Sequence, residues 1–377
     1  MINTSEFYNR AKNFCAEMNY QQKGRNWGNK WHSLCSYRGK LKPAIANELI
    51  VNFTEKDDTV LDPMGGVGTI AFEAILNGRK AISNDLSKFA AVVTQAKLNP
   101  VTPAMAEKDL RLLEKFIEHN KEKYANNDEV RSFGLNKKII DYYHHETLKE
   151  ILACREFFNI KKNYTNSEAF ILSCMLHILH GNRPYALSRI SHPLTPYAPT
   201  GDFIYKNVIQ QIKNKMEIMY NSKDFYYWGP GKSTQFNAIN LSEQIDDLAD
   251  IIISSPPFAS SFKFYTQNWL RLWFIGWTPD DFKAAKDIYF DEKQNQNLDI
   301  YKDYFCECYK LLKPSGKLIL HVGKSKKINM ATELLNRADD YFNPIYLADE
   351  DVRNVENHGV VDKGSTTDHQ FLFLEKK

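Results

Sequence analysis

The stretch from Thr59 to Asp85 constrains this 377-residue chain most, because it sets out in order the parts a doubly wound sheet needs to hold a nucleotide-like ligand. Thr59-Val60-Leu61-Asp62 is β-branched and apolar, as a buried strand requires. The turn Pro63-Met64-Gly65-Gly66-Val67-Gly68-Thr69 follows, and its glycines let a ligand lie against bare backbone. A helix is predicted through Ile70 to Asn77, with Gly78 as its C-terminal stop. The next strand, from Lys80, ends in Asp85, 17 residues past Gly68. Doubly wound folds place a carboxylate for ribose hydroxyls about 20 residues after the glycine turn. A nucleotide-binding dehydrogenase is the competing reading. Against it, the turn lacks a full Gly-x-Gly-x-x-Gly, and nothing in the turn resembles a Gly-Lys-Ser/Thr phosphate cradle.

A second stretch carries chemistry. The run Asp250-Ile251-Ile252-Ile253-Ser254 stops at Ser255-Pro256-Pro257-Phe258. Two prolines fix the backbone and donate no hydrogen bonds, so the corner presents acceptors, the Ser255 hydroxyl and nearby carbonyls, beside one aromatic face. That set suits the exocyclic NH2 of a flat heterocycle. Such an amine is a poor nucleophile because its lone pair is delocalised into the ring, and acceptors holding both hydrogens let it pyramidalise as it attacks. By itself the corner reads equally well as a structural turn.

Ser255-Pro256-Pro257-Phe258 resembles the Ser/Asn/Asp-Pro-Pro-aromatic motif of the DNA amino methyltransferases, which act on cytosine N4 or adenine N6. Asp62-Pro63-Met64-Gly65-Gly66-Val67-Gly68-Thr69 is similar to the Asp-Pro-Phe-x-Gly-x-Gly-Thr motif of the same family, with Met64 in place of the usual Phe. The resemblance implies S-adenosylmethionine as cofactor. Asp62, Pro63, Met64, Gly65, Gly66, Gly68 and Thr69 would then hold its amino-acid part, and Asp85 its ribose. Upstream, His32 to Phe53 resembles the segment that closes over the methionine end, with Tyr37, Lys40 and Pro43 as candidates and plain helix packing as the equal alternative. The position that usually carries an acid for the adenine amino group falls at Asn237, with Asn240 as the other choice.

The resemblance also implies an α/β fold: a Rossmann-like seven-stranded methyltransferase sheet with its last strand antiparallel and a largely helical target-recognition insertion. Strands are expected around Gln235-Phe236, over Lys317 to Gly323, Pro344 to Ala348 and Gln370 to Glu375, with a helix end and turn at Leu311 to Gly316. Residues 1–100 and 231–377 would form the catalytic domain, and 101–230 the insertion, with helices from Ala104 to Tyr124, Leu148 to Phe158 and Glu168 to His180. The family's insertion usually follows the third strand, whereas this one precedes it. The aromatic helix Asn268 to Phe274 reads as core packing ahead of base contact.

Net charge is only +3, but between Lys161 and Lys223 eight Lys or Arg face three acids, a local excess of 8 − 3 = +5. A solvated face gives the same pattern. The proline-rich run Gly181 to Gly201 contributes Arg183, Ser188, Arg189 and His192 as candidate DNA-facing residues, with a proline-stiffened connection as the alternative. Six cysteines form no Cys-x-x-Cys pair, and Cys306, Cys308 and His321 supply too few ligands for a metal, so free thiols and no metal are expected. No signal peptide or long apolar span is seen, and the expected location is cytoplasmic.

The resulting expectation is direct methyl transfer to the amino group of a flipped base in double-stranded DNA, as in restriction-modification, with a cognate restriction endonuclease as a possible companion. Ser in the first motif position leans towards cytosine N4. An RNA base methyltransferase, a non-catalytic DNA-binding module and a small-molecule methyltransferase are the rivals.

Overall fold

A computed structural model describes residues 2–17, 27–190, 198–259, 263–352, 356–357, 360–361 and 366–377. Helices α1 (Thr4–Glu17) and α2 (Pro43–Phe53) lead into β1 (Thr59–Asp62), α3 (Thr69–Leu76), β2 (Lys80–Asn84) and α4 (Lys88–Leu98). Next come α5 (Pro103–Asn120), α6 (Asp128–Ser132), α7 (His145–Asn159), α8 (Asn166–Ile178) and α9 (Val208–Tyr220). The chain then returns through β3 (Lys232–Thr234) and β4 (Ala249–Ser254) to α10 (Phe264–Gln267), α11 (Trp269–Phe274), α12 (Pro279–Ile288), α13 (Phe290–Gln296) and α14 (Ile300–Leu311). It ends with β5 (Leu312–Ser325), α15 (Met330–Ala338), β6 (Phe342–Asp351), the short pair β7 (Glu356–Asn357) and β8 (Val360–Val361), and β9 (Thr366–Lys376).

Seven strands form one sheet in the order β3-β2-β1-β4-β5-β9-β6. β1 to β5 are parallel, and β9 runs antiparallel between β5 and β6. β4 is buried along its whole length, which is why its centre, Ile251-Ile252-Ile253, is apolar on both faces rather than alternating. From β1 the chain works outward to β3, then crosses back to β4 on the other side of β1. This puts the topological switch point, where open α/β sheets bind ligands, between β1 and β4.

Several expected boundaries shift for local reasons. The third strand is Lys232–Thr234, not Gln235-Phe236, because the Asn84 side chain takes the Phe236 N–H and carbonyl, both at 3.0 Å, and so captures the backbone just past the strand. The first insertion helix ends at Asn120, and Lys121–Tyr124 tightens into a 3-10 turn. The expected turn before the fifth strand is a bulge inside it: pairing with β4 jumps from Leu312 to Lys317, with Ser315 at φ 59°.

Residues 101–230 precede β3 and share one apolar core with the helices that flank the sheet. α8 packs on α4. Trp31, from the segment before α2, is stacked between Phe170 of α8 and Phe225, at 5.2 and 5.4 Å. Arg271 of α11 donates from Nε to the Leu176 carbonyl at 3.0 Å, and Arg155 of α7 to that of Trp273, also at 3.0 Å. All six residues of α11 are buried, so the aromatic helix is packing. The opposite face of the sheet is covered by α14 and α15 around Tyr301, Phe305 and Leu334.

Candidate active site

At the switch point, the sequence of the turn after β1 is forced by space. Gly66 and Gly68 adopt φ of 53° and 66°, the left-handed region that disfavours side chains. A Cβ on Gly65 would lie 2.0 Å from Ser83 Oγ, and one on Gly68 2.6 Å from Thr94 Cγ2. The loop is held from below: Thr94 Oγ1 donates to the Gly66 carbonyl at 3.1 Å, and the buried Lys97 ammonium to that of Val67. Asn84 Nδ2 holds the Pro63 carbonyl at 3.0 Å. Thr69 is buried at the start of α3, and Met64 packs at the edge of the apolar layer on the α14 side.

Two carboxylates flank this bed. Asp62 Oδ1 accepts from Ser254 Oγ at 2.7 Å and from Met64 N at 3.2 Å, and burial pushes its pKa up to about 7. Asp85 accepts from Gly66 N at Oδ2 (2.9 Å) and from Ser87 N at Oδ1 (2.8 Å), and burial pushes it up to about 6. A carboxylate has about four lone-pair sites, so each oxygen pair retains capacity for a further donor. Carboxylates held at such values gain by meeting a cation or hydroxyl donors. The ammonium and ribose hydroxyls of S-adenosylmethionine supply both kinds of donor.

Tyr37 lies over the bed, its ring atoms 3.4 Å from where a Gly66 Cβ would stand and its centroid 5.5 Å from that of Phe264. Lys40 donates to the His32 carbonyl at 2.8 Å, and Pro43 opens α2 with its Cβ 3.6 Å from the Cβ position of Gly28, so these two shape the segment that carries Tyr37. Asn237 caps the 3-10 turn Ala238–Glu243, its Oδ1 accepting from Ile239 N at 3.3 Å, while Asn240 is exposed.

The Pro-Pro corner leaves β4 directly beside this bed. Ser255 Oγ lies 3.0 Å from His321 Nδ1 on β5. Gln294 Nε2 donates to the Pro257 carbonyl at 3.0 Å and fixes the turn from α13. The Phe258 ring covers Gly323, where any Cβ would come within 2.5 Å of Phe258 Cδ2, and lies 5.4 Å from the His321 ring.

The candidate DNA-facing set does not stay together. Arg183 is exposed, donating to Tyr185 Oη at 2.8 Å. Ser188 is a correction: it is 1% exposed, with its hydroxyl 2.9 Å from His180 Nδ1, because the chain turns inward there to pack Ala186 and Leu187. Arg189 is another, since its guanidinium donates to the carbonyls of Asp141 (3.0 Å), Thr200 (3.1 Å) and Gly201 and covers Phe203. His192 lies outside the described residues. Much of the local positive excess is likewise structural: Lys206 holds the Ala186 and Ser188 carbonyls, Lys215 that of Ser33, and Lys161 pairs with Glu168.

Ser254, Asn84, Gln294 and His321 are site-building residues that sequence reasoning missed. Ser254 and Asn84 sit at strand ends beside residues already singled out, a positional signal that was there to use. Gln294 and His321 come from distant segments and carry no such signal.

Comparison with known proteins places the family match on the same bed. A DNA methylase family model matches residues 4–96, from α1 to α4. No curated protein matches. Among solved structures, TrmN from Thermus thermophilus is 14% identical with a TM-score of 0.34, over 90% of this chain and 50% of that one, so the chain spans half the length of that relative. A SAM-dependent methyltransferase from Methanosarcina mazei is 10% identical with a TM-score of 0.35, over 87% of this chain and 96% of that one. The rRNA methyltransferase aviRa from Streptomyces viridochromogenes is 9% identical with a TM-score of 0.34, over 91% and 88%. The family match supports an N4/N6 amino methyltransferase family.

Proposed function

We propose that the chain methylates the exocyclic amino group of a base flipped out of double-stranded DNA, cytosine N4 in preference to adenine N6. The observation that supports this reading best is the Ser254–Asp62 hydrogen bond of 2.7 Å, which sets the acceptor corner and the cofactor bed on one sheet edge. S-adenosylmethionine supplies an electrophilic methyl group when bound. Asp62 and the loop from Pro63 to Thr69 hold its amino-acid part, Asp85 its ribose, and Asn237 its adenine, with Tyr37 closing over them.

Ser255 Oγ and the Pro256 carbonyl accept the two amino hydrogens, and Phe258 stacks on the ring. Preorganised acceptors cost no reorganisation as charge develops, and this is where the corner's rigidity counts. Taking the base out of its stack costs a few kcal/mol, which phosphate contacts and the aromatic face offset. DNA is favoured by the description of the matched family, and Arg183, exposed among the described residues of the proline-rich run, faces it. No helix among the described residues is long and apolar enough to cross a membrane.

Expressing the chain in a methylation-free host and sequencing its DNA with modification-sensitive long reads tests this. The expected result is one modified base in a fixed sequence context, absent with Ser255→Ala. Unmodified DNA from cells holding folded, cofactor-binding protein would overturn the reading.

A further inference from the structure

His321 lies on β5 at the corner's edge, 4% exposed, with its ring centroid 4.8 Å from that of His369 and 5.0 Å from that of Phe371. Nδ1 faces Ser255 Oγ at 3.0 Å, while Nε2 is buried with no hydrogen-bond partner among the described residues. An unmatched buried ring nitrogen costs free energy. The only polar contact this imidazole makes among the described residues is the one with Ser255.

We propose that His321 is the positioning residue of the reaction: its unprotonated Nδ1 accepts the Ser255 hydroxyl proton, which turns the oxygen lone pairs towards the target amino group, and it then takes up the proton that group sheds. The proposal rests on the amino-methylation reading above. With the opposite tautomer, an Nδ1–H would donate to Ser255, and the hydroxyl hydrogen would point into the site against the amino hydrogens it has to receive.

The proton count closes. As the nitrogen–carbon bond forms and the donor's sulfur–carbon bond breaks, the positive charge passes from sulfur to nitrogen. The nitrogen gives a proton to Ser255 Oγ while the Ser255 proton moves to Nδ1, and the imidazolium returns its proton to solvent once the product has left. An exocyclic nitrogen carrying four bonds has lost conjugation with its ring and is a much stronger acid than imidazolium, so transfer runs downhill even to a weak buried base. Burial holds the His321 pKa well below the usual range, and His369 and Lys42 push it the same way, so the resting ring is neutral with a lone pair to offer. The charged or titratable groups around it are His369 from β9, Lys42 at the start of α2, and Glu350 of β6, which is 3.8 Å from His369 and raised to about 7 by burial.

Two measurements on the full chain test this. In 15N-histidine spectra, assigned by difference with His321→Asn, His321 should show an Nε2–H tautomer whose Nδ1 resonance moves in Ser255→Ala; an Nδ1–H tautomer, or indifference to Ser255→Ala, overturns the proposal. In turnover, His321→Leu should lower kcat by about 100-fold with S-adenosylhomocysteine affinity within about twofold. His321→Asn, whose Oδ1 can still accept the Ser255 proton, should recover part of that loss. Full turnover by a folded His321→Leu protein sinks the role of His321 and leaves the amino-methylation reading standing, whereas a wild-type protein that binds cofactor but methylates no base sinks that reading itself.

Discussion

Ser254 Oγ donates to Asp62 Oδ1 across 2.7 Å, joining the carboxyl end of β4 to that of β1 at the point where the sheet reverses its order. One side of that bond is the glycine bed, and the other is the acceptor corner at Ser255. The bond holds down the Asp62 pKa that burial raises, so it is an electrostatic device as well as a strut.

The pH behaviour follows from the two carboxylates. Asp62 and Asp85 sit at about 7 and about 6 in the folded protein, above an unfolded value of about 3.9. The folded state therefore holds more protons than the unfolded chain between those values, and the stability of the free protein falls as pH rises through that window, by at most ~1.4 kcal/mol per pH unit for each group. Cofactor binding has the opposite sign, because the ionised carboxylates receive the ammonium and the hydroxyls. Calorimetric titration with S-adenosylhomocysteine should show affinity rising from pH 5.5 to 8 and flattening above; Asp62→Asn should weaken binding and flatten the rise.

Gly68→Ala combines a left-handed φ with a 2.6 Å clash against Thr94 Cγ2. It should destabilise the fold by ~1–3 kcal/mol and weaken cofactor binding. Adding Thr94→Ala removes the nearest clashing atoms but not the backbone cost, so thermal unfolding should show partial rescue only. Full rescue would mean that the loop does not need the left-handed geometry.

Much of this arrangement is legible in the sequence. The β1-glycine-α3-β2 succession can be read because a buried parallel strand must be apolar throughout, a tight ligand turn must be glycine, and both signals are local. Ser255 to Phe258 is legible for the same reason, since two prolines leave few conformations. Ser188 and Arg189 were misread because a polar side chain in a proline-rich run looks the same whether it faces solvent or satisfies buried groups nearby. Their partners, His180, Asp141, Thr200 and Gly201, are set by how the run folds back on α8. His321 was weighed only as a metal ligand, because its pairing with Ser255 spans 66 residues and depends on the β4–β5 register.

The two arginines of the proline-rich run should separate in their effects. Arg183→Ala should weaken DNA binding and reduce the slope of log affinity against log salt by about 1, with thermal stability unchanged. Arg189→Ala should lower stability by ~1–3 kcal/mol, because it leaves three carbonyls without their donor. Filter binding at several salt concentrations and thermal melts distinguish them, and an unchanged salt slope in Arg183→Ala would remove it from the DNA-facing surface.

Ser255→Ala and Phe258→Ala should cut kcat by about 100-fold while S-adenosylhomocysteine affinity stays within about twofold, since neither residue belongs to the glycine bed. Collapse of cofactor binding with normal turnover per bound cofactor would reverse the division of labour between β1 and β4. Single-turnover kinetics beside calorimetry gives both quantities.

The most direct test of the account is to identify the atom that is methylated. DNA incubated with the purified chain and S-adenosylmethionine carrying a deuterated methyl group, then digested to nucleosides for mass spectrometry, should yield label on an exocyclic amino nitrogen, as N4-methylcytosine. Label on a ring carbon, or label that persists undiminished in Ser255→Ala, would contradict it.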